Sequence, residues 1–288
     1  MEKPYDWFQA GTFFDWEGHH IFFQQAGVGP VLLMLHGFPT SSWDWVHQWS
    51  ALERQFELIA PDFLGFGFSD KPQKYPYSIN RQADMLEALM VHLGKKQVLL
   101  LAHDYGDTVA QELMARQLEG TLAFEIKQLM LTNGGLFPEV HRARFMQKLL
   151  KGKKGHWFVQ FMNADRFRKS FTRIFGPNTK PNDRELDYFW NLIKQKDGLA
   201  VIPDLLRYID ERKRYRARWV HALVHAAIPV RFVNGSLDPV SGDHMAKRYE
   251  ELIAKPDVVR LSQIGHYPQW EAPGEMTKLI FEYFWNHE

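Results

Sequence analysis

Asp104, Asp238 and His266 are polar residues that each follow a short apolar run, and their types and order suit covalent hydrolysis. Around the first, Ala102-His103-Asp104-Tyr105-Gly106 has the small-x-nucleophile-x-small spacing of a sharp strand-to-helix turn. The position that would hold a nucleophile holds a carboxylate. A carboxylate needs no proton removed before attack, and it can displace a leaving group from a saturated carbon to form an alkyl ester. A histidine then activates the water that cleaves this ester, and a second acid orients the imidazole. The chemistry expected is epoxide opening or carbon–halogen cleavage. Taken singly the residues have plainer readings: Asp104 as a helix N-cap, Asp238-Pro239 as a turn pair, His266 as a surface histidine. Their common position after predicted strands, in nucleophile, acid, histidine order, favours Asp104 as nucleophile, Asp238 as orienting acid and His266 as general base. Asn133 ends another run but, as an amide, lacks the charge that would stabilise an imidazolium. His36-Gly37-Phe38-Pro39 follows the run Val31 to Leu35, so the N–H groups of Phe38 and Tyr105 are the expected oxyanion hole.

The elements that must position these groups are legible as alternation. Apolar runs at 20–23, 31–35, 56–60, 98–102 and 127–131 read as strands, with helical spacing at 79–93 and 108–117 between them. Strand texture returns at 230–233 and near 258–261, and a helix from about Pro273 to Trp285 follows. Near-continuous apolar strands alternating with helices imply an α/β fold with a mostly parallel, doubly wound sheet and right-handed crossovers. Polar groups at the carboxyl ends of its strands then converge on one edge. Residues 136–221 differ in texture. They carry 20 Lys+Arg against 9 Asp+Glu, while the whole 288-residue chain has 35 against 34. We read 136–221 as a helical cap inserted into a core formed by 1–135 and 222–288.

Composition narrows the function classes. With no cysteine, thiol catalysis, disulfides, iron–sulfur clusters and Cys-ligated zinc are excluded. No cofactor is called for. A formal charge of +1 gives no reason to expect nucleic acid. No apolar run reaches the roughly 18–20 residues that span a bilayer, and the first residues lack signal-peptide order. The expectation is a cytoplasmic protein acting on a small apolar substrate and water, of undetermined oligomeric state. The basic cap reads as a solvated face, with docking on an anionic membrane as the alternative. Gly65-Phe66-Gly67-Phe68-Ser69-Asp70 lacks the spacing and Lys-Ser/Thr pair of a phosphate loop and is not read as one.

His36-Gly37-Phe38-Pro39 and His103-Asp104-Tyr105-Gly106 resemble the oxyanion and elbow motifs of the epoxide hydrolase and haloalkane dehalogenase branch of the α/β-hydrolases. Within it, HGFPTSSWDW at 36–45, FLGFGFSDKP at 63–72 and AHDYGDTVAQEL at 102–113 are most similar to the mesoderm-specific transcript type and its bacterial relatives. The resemblance covers nearly the whole chain and implies an α/β-hydrolase fold with a helical cap. It also implies a cap tyrosine that protonates an opening epoxide oxygen; Tyr208, 20 residues before Ile228-Pro229, fits that place. A second cap tyrosine is not evident, since Trp157-Phe158 stand in the expected region. The dehalogenase halide pair is absent too: Tyr105 follows the nucleophile where Trp is usual, and Phe38 stands where Asn is usual. Epoxide hydrolysis to a vicinal diol therefore leads, with dehalogenation or a receptor without turnover as alternatives. Phe38, Trp43, Trp157 and Phe158 are the aromatics expected to line the pocket. Asp107 and His103 are read as structural.

Overall fold

The computed structural model describes residues 3–152 and 154–285. Eight strands form one sheet: β1 (Thr12–Trp16), β2 (His19–Ala26), β3 (Val31–Leu35), β4 (Glu57–Pro61), β5 (Gln97–His103), β6 (Glu125–Thr132), β7 (Val230–Gly235) and β8 (Asp257–Leu261). Their order is β1-β2-β4-β3-β5-β6-β7-β8. From β4 to β8 every pairing is parallel, and β2 alone is reversed, antiparallel to both of its neighbours β1 and β4. Parallel neighbours require crossovers, and the helices Ile79–His92 and Tyr105–Leu118 supply two of them. The central strands are covered on both faces, which is why Leu32 to Leu35 and Leu100 to Ala102 are wholly buried.

Strand β1 was not anticipated, because Thr12-Phe13-Phe14-Asp15-Trp16 is short and leaves Phe13 exposed on an edge. The hairpin it makes with β2 turns on Glu17 and Gly18, both at positive φ (53° and 78°). Two such residues match the twist of a tight hairpin, and the glycine carries the second at little cost.

Between β6 and β7 the chain leaves the sheet as a run of short helices, here called the cap. The last of these, Arg216–Val224, extends three residues past the expected boundary at 221. It packs on Tyr105–Leu118, and the contact is polar as well as apolar. Buried Glu112 accepts hydrogen bonds from Arg218 (2.8 and 3.1 Å), from Trp219 Nε1 (2.8 Å) and from Arg116 (3.0 Å). Among the described residues no helix is long and apolar enough to cross a membrane.

Replacing Glu112 with Ala strands the Trp219 N–H and takes one carboxylate from Arg218 and Arg116, which keep Glu119 and Asp84 with Glu87, respectively. Allowing for the partial exposure of Arg218, the cost is about 2 kcal/mol. Urea unfolding followed by tryptophan fluorescence measures it; a loss under about 0.5 kcal/mol contradicts the joint's importance.

Candidate active site

Asp104 sits where β5 turns into the helix Tyr105–Leu118, with φ 45° and ψ −97°. Such a backbone is costly for a residue with a side chain and persists only where the surroundings enforce it. Gly106 permits the turn, because a Cβ there would stand 2.7 Å from the carbonyl oxygen of Leu35. The carboxylate projects at the helix N-terminus, where the backbone dipoles favour negative charge.

His266 lies five residues beyond β8 on a loop held from both sides. Its N–H donates to the carbonyl of cap residue Ile174 (2.8 Å), and its own carbonyl accepts from His103 Nε2 (2.8 Å). Glu271 fastens the same loop, accepting from the backbone N–H groups of Gly265 (2.9 Å), Tyr267 (2.9 Å) and Gly176 (2.7 Å). The imidazole faces two carboxylates. Its Nδ1 is 2.8 Å from Asp238 Oδ2, and its Nε2 is 3.9 Å from Asp104 Oδ2. Asp238 is itself fixed by the Val240 and Ser241 N–H groups and the Ser241 hydroxyl, at 2.7 to 3.0 Å. Asn133 Nδ2 adds a further hydrogen bond to Asp238 Oδ2 (3.0 Å). The amide that could not replace the acid thus orients it. The structure brings the three widely separated residues into one buried cluster.

Of the two N–H groups expected at an oxyanion hole, that of Phe38 donates to Asp104 Oδ2 at 3.2 Å. That of Tyr105 opens the adjoining helix. One partner had no forecast. Arg212, on the cap helix Tyr208–Arg214, is 1% exposed and reaches down to the elbow. Its Nη2 donates to the Asp104 carbonyl (3.0 Å) and Oδ1 (3.2 Å), and its Nε to Thr108 (2.8 Å). In the sequence it is one cation of the run Arg212-Lys213-Arg214 and looks like surface. The cue was its spacing: four residues after Tyr208, it shares a helix face with that ring, and its guanidinium lies 4.5 Å over it.

These neighbours set the charges. Burial pushes Asp104 upward, but His266 and the Arg212 guanidinium overcome it and hold the carboxyl well below the usual range. Burial lowers His266, yet Asp238 and Asp104 together raise it to about 10. Asp107, also fully buried but bonded only to the Thr132 N–H (3.3 Å), is pushed far up by burial. His103 is pushed down to about 3 by burial and by the charge of His266.

The cluster opens onto a cavity of about 110 Å³ between core and cap. Asp104 and His266 form its floor with Phe38, and Leu150, Phe167, Phe171 and Ile202 line its walls. Three expected aromatics are elsewhere. Trp43 is fully buried against Phe189 and Trp270, Trp157 is half-exposed on the cap's outside, and Phe158 packs beside it. An aromatic count cannot distinguish cavity wall from core, and here the cap's own phenylalanines supply the wall. Tyr208 is buried under Arg212 and packs on Tyr105 and Phe38 (ring centroids 5.0 and 6.0 Å apart). It adjoins the floor and is not part of the cavity lining.

Residues 30–273 match the family described by the alpha/beta hydrolase fold. The chain belongs to this family. The mesoderm-specific transcript homolog protein of Bos taurus is 44% identical to it over 281 residues, spanning 93% of this chain and 84% of the relative. Epoxide hydrolase A of Mycobacterium tuberculosis is 26% identical over 298 residues, spanning 88% and 90%. A loop variant of the haloalkane dehalogenase DbeA from Bradyrhizobium elkanii superimposes with a TM-score of 0.80 over 95% of each chain, at 20% identity, a likeness of fold. Membership of this family supports a hydrolase that acts on a small molecule with water.

The raised value of His266 has a sign that can be tested. Because the folded value exceeds that of a free histidine, about 6.5, its charge contributes stability that is complete below the free value. That contribution is lost as pH rises through about 10. Wild-type stability should therefore fall by a few kcal/mol more than that of His266→Gln between neutral pH and about 10. Parallel urea-derived profiles for the two proteins would show that the imidazole is not held protonated.

Proposed function

We propose that the protein hydrolyses epoxides to vicinal diols through an alkyl ester on Asp104. The observation that carries this reading is the buried, ionised Asp104 with His266 Nε2 3.9 Å from its carboxylate. Asp104 Oδ2 stays on the Phe38 N–H while Oδ1 attacks an epoxide carbon. The C–Oδ1 bond forms as the ring C–O bond breaks. Tyr208, packed beside the floor, turns toward the cavity to give its proton to the opening oxygen. Burial opposes the phenolate left behind, and the Arg212 guanidinium over its ring offsets part of that cost.

Ester formation removes the charge of Asp104, one of the two carboxylates that raise His266. The imidazolium then gives up its proton, through water, to the Tyr208 phenolate and becomes a usable base, with Asp238 still orienting it. It takes a proton from water as the water oxygen adds to the Asp104 carboxyl carbon, and the Phe38 and Tyr105 N–H groups hold the oxyanion. Collapse breaks the bond between that carbon and Oδ1. His266 passes its proton to the departing diol and then takes up the one left on the Asp104 carboxyl, which restores the starting charges. The apolar walls suit an apolar substrate body, and the relationship to epoxide hydrolase A agrees with this chemistry.

A second reading has its own observation. Tyr208 is absent from the cavity lining, which favours a leaving group that needs no proton, namely a halide. His266→Gln separates the two. Incubated with a panel of aryl and alkyl epoxides and haloalkanes, it should accumulate an ester on Asp104, seen by intact mass and peptide mapping. A gain equal to the whole epoxide supports the first reading. A gain of the alkyl group with halide release, and none from epoxides, supports the second. Tyr208→Phe should slow ester formation about 100-fold with epoxides and leave that with haloalkanes unchanged. No adduct from any panel member, with the wild type also inactive, rejects both readings.

A further inference from the structure

The part of the cap that carries the cavity mouth has a composition unlike the rest of the molecule. Residues 142–173 contain ten Lys and Arg and a single acid, Asp165. Only two of those cations have carboxylate partners among the described residues: Lys151 pairs with Asp210, and Arg168 with Asp165 and Asp187. Arg142, Arg144, Lys148, Lys154, Arg166, Lys169 and Arg173 have none there. This contrasts with the cap's other side, where Arg216 and Arg218 are paired with Glu139, Glu112 and Glu119. Seven cations without carboxylate partners in one 32-residue segment give this part of the cap a positive field.

Five of the seven (Arg142, Arg144, Arg166, Lys169 and Arg173) line one groove of about 580 Å³ with Phe145. That groove is continuous with the catalytic cavity, because Arg144, Met146, Arg166 and Ser170 border both. Large apolar side chains stand out from the same segment: Phe145 is 78% exposed, Trp157 54% and Phe161 48%. Trp157 and Phe161 touch edge to face with centroids 4.8 Å apart, and the Phe161 carbonyl accepts from Arg166 Nη1 at 2.7 Å. Phe145 thus lies among the groove's cations, and Arg166 joins the groove to the exposed Trp157–Phe161 pair.

From this surface we infer that residues 142–173 dock the protein on a bilayer carrying anionic lipid, with the cavity mouth toward the membrane. Unpaired cations are drawn to an anionic leaflet, and exposed Trp and Phe rings enter the headgroup boundary. The two together describe an interfacial surface better than a soluble anionic partner, which would leave the rings in water. The arrangement would let an apolar substrate dissolved in lipid pass into the cavity without crossing bulk water. Docking is read without turnover, so it stands or falls separately from the proposed reaction.

Co-sedimentation of the full chain with phospholipid vesicles tests it. Binding should be at least about tenfold stronger with about 30% phosphatidylglycerol than with phosphatidylcholine alone. It should be lost in about 1 M salt, where charge is screened within ~3 Å. Phe145→Ser/Trp157→Ser/Phe161→Ser and Arg142→Gln/Lys169→Gln/Arg173→Gln should each reduce binding at least about fivefold. All six residues are exposed, and circular dichroism confirms folding. Lys127→Gln/Lys247→Gln/Lys278→Gln, at exposed lysines elsewhere, should bind like the wild type. Equal binding to neutral and anionic vesicles, or full binding by either cap variant, overturns the inference. So does binding of monomeric dodecyl phosphate without binding of vesicles, which would make the groove a site for a single anionic amphiphile.

Discussion

An ionised carboxylate held in an apolar interior is the interaction on which the rest of this structure depends. Asp104 is 3% exposed, and burial alone would make it neutral. Four contributions oppose that outcome, each brought by a different part of the chain. They are the N-terminal dipoles of Tyr105–Leu118, the Phe38 N–H from the loop after β3, His266 from the loop after β8, and Arg212 from the cap. Asp107 shows burial prevailing where such contacts are weaker. Three residues further on, equally buried and with one backbone donor, its carboxyl goes the other way. The two carboxyls shift in opposite directions: at Asp104 the contacts with His266 and Arg212 outweigh burial, and at Asp107 burial outweighs the weaker pull of the same two groups.

This dependence makes the cap part of the site. Arg212 is a cap residue whose guanidinium reaches the elbow, and His266 takes its backbone orientation from cap residue Ile174. Glu271 ties the His266 loop to the cap turn at Gly176 and Thr179. On the far side, Glu112 gathers Arg218 and Trp219 onto the core helix. The cap's inner surface therefore carries a few buried charges that all find partners, as burial requires. Its outer surface between 142 and 173 carries many that find none.

The near-neutral total charge is the sum of these unlike regions. The core's acids pair with cap cations at Glu112, Glu119 and Asp70, while the cavity between core and cap stays apolar apart from its floor and rim. Such a division places low dielectric around Asp104 and His266. There each charge contact is stronger than in water, and losing one partner shifts the others.

What the sequence determined by itself was the part encoded in contiguous residues. Strand and helix alternation, the small residues flanking Asp104, and the order Asp104, Asp238, His266 all follow from local patterns whose period and sterics are short-range. The α/β architecture was legible from them, as was the trio Asp104, Asp238 and His266, of which Asp104 and His266 face the cavity. The tertiary structure alone decided which side chains face that floor. Arg212 reads as surface charge until the helix Tyr208–Arg214 docks, and Trp43 reads as pocket wall until Phe189 and Trp270 enclose it. Tyr208 stands at its expected place in the chain, yet the docking angle of its helix turns it under Arg212 and away from the cavity lining. A residue's type states what it can do chemically. Its burial and its charged neighbours come from segments up to more than a hundred residues away, and these decide whether it is a buried charge, a wall or an exposed ring.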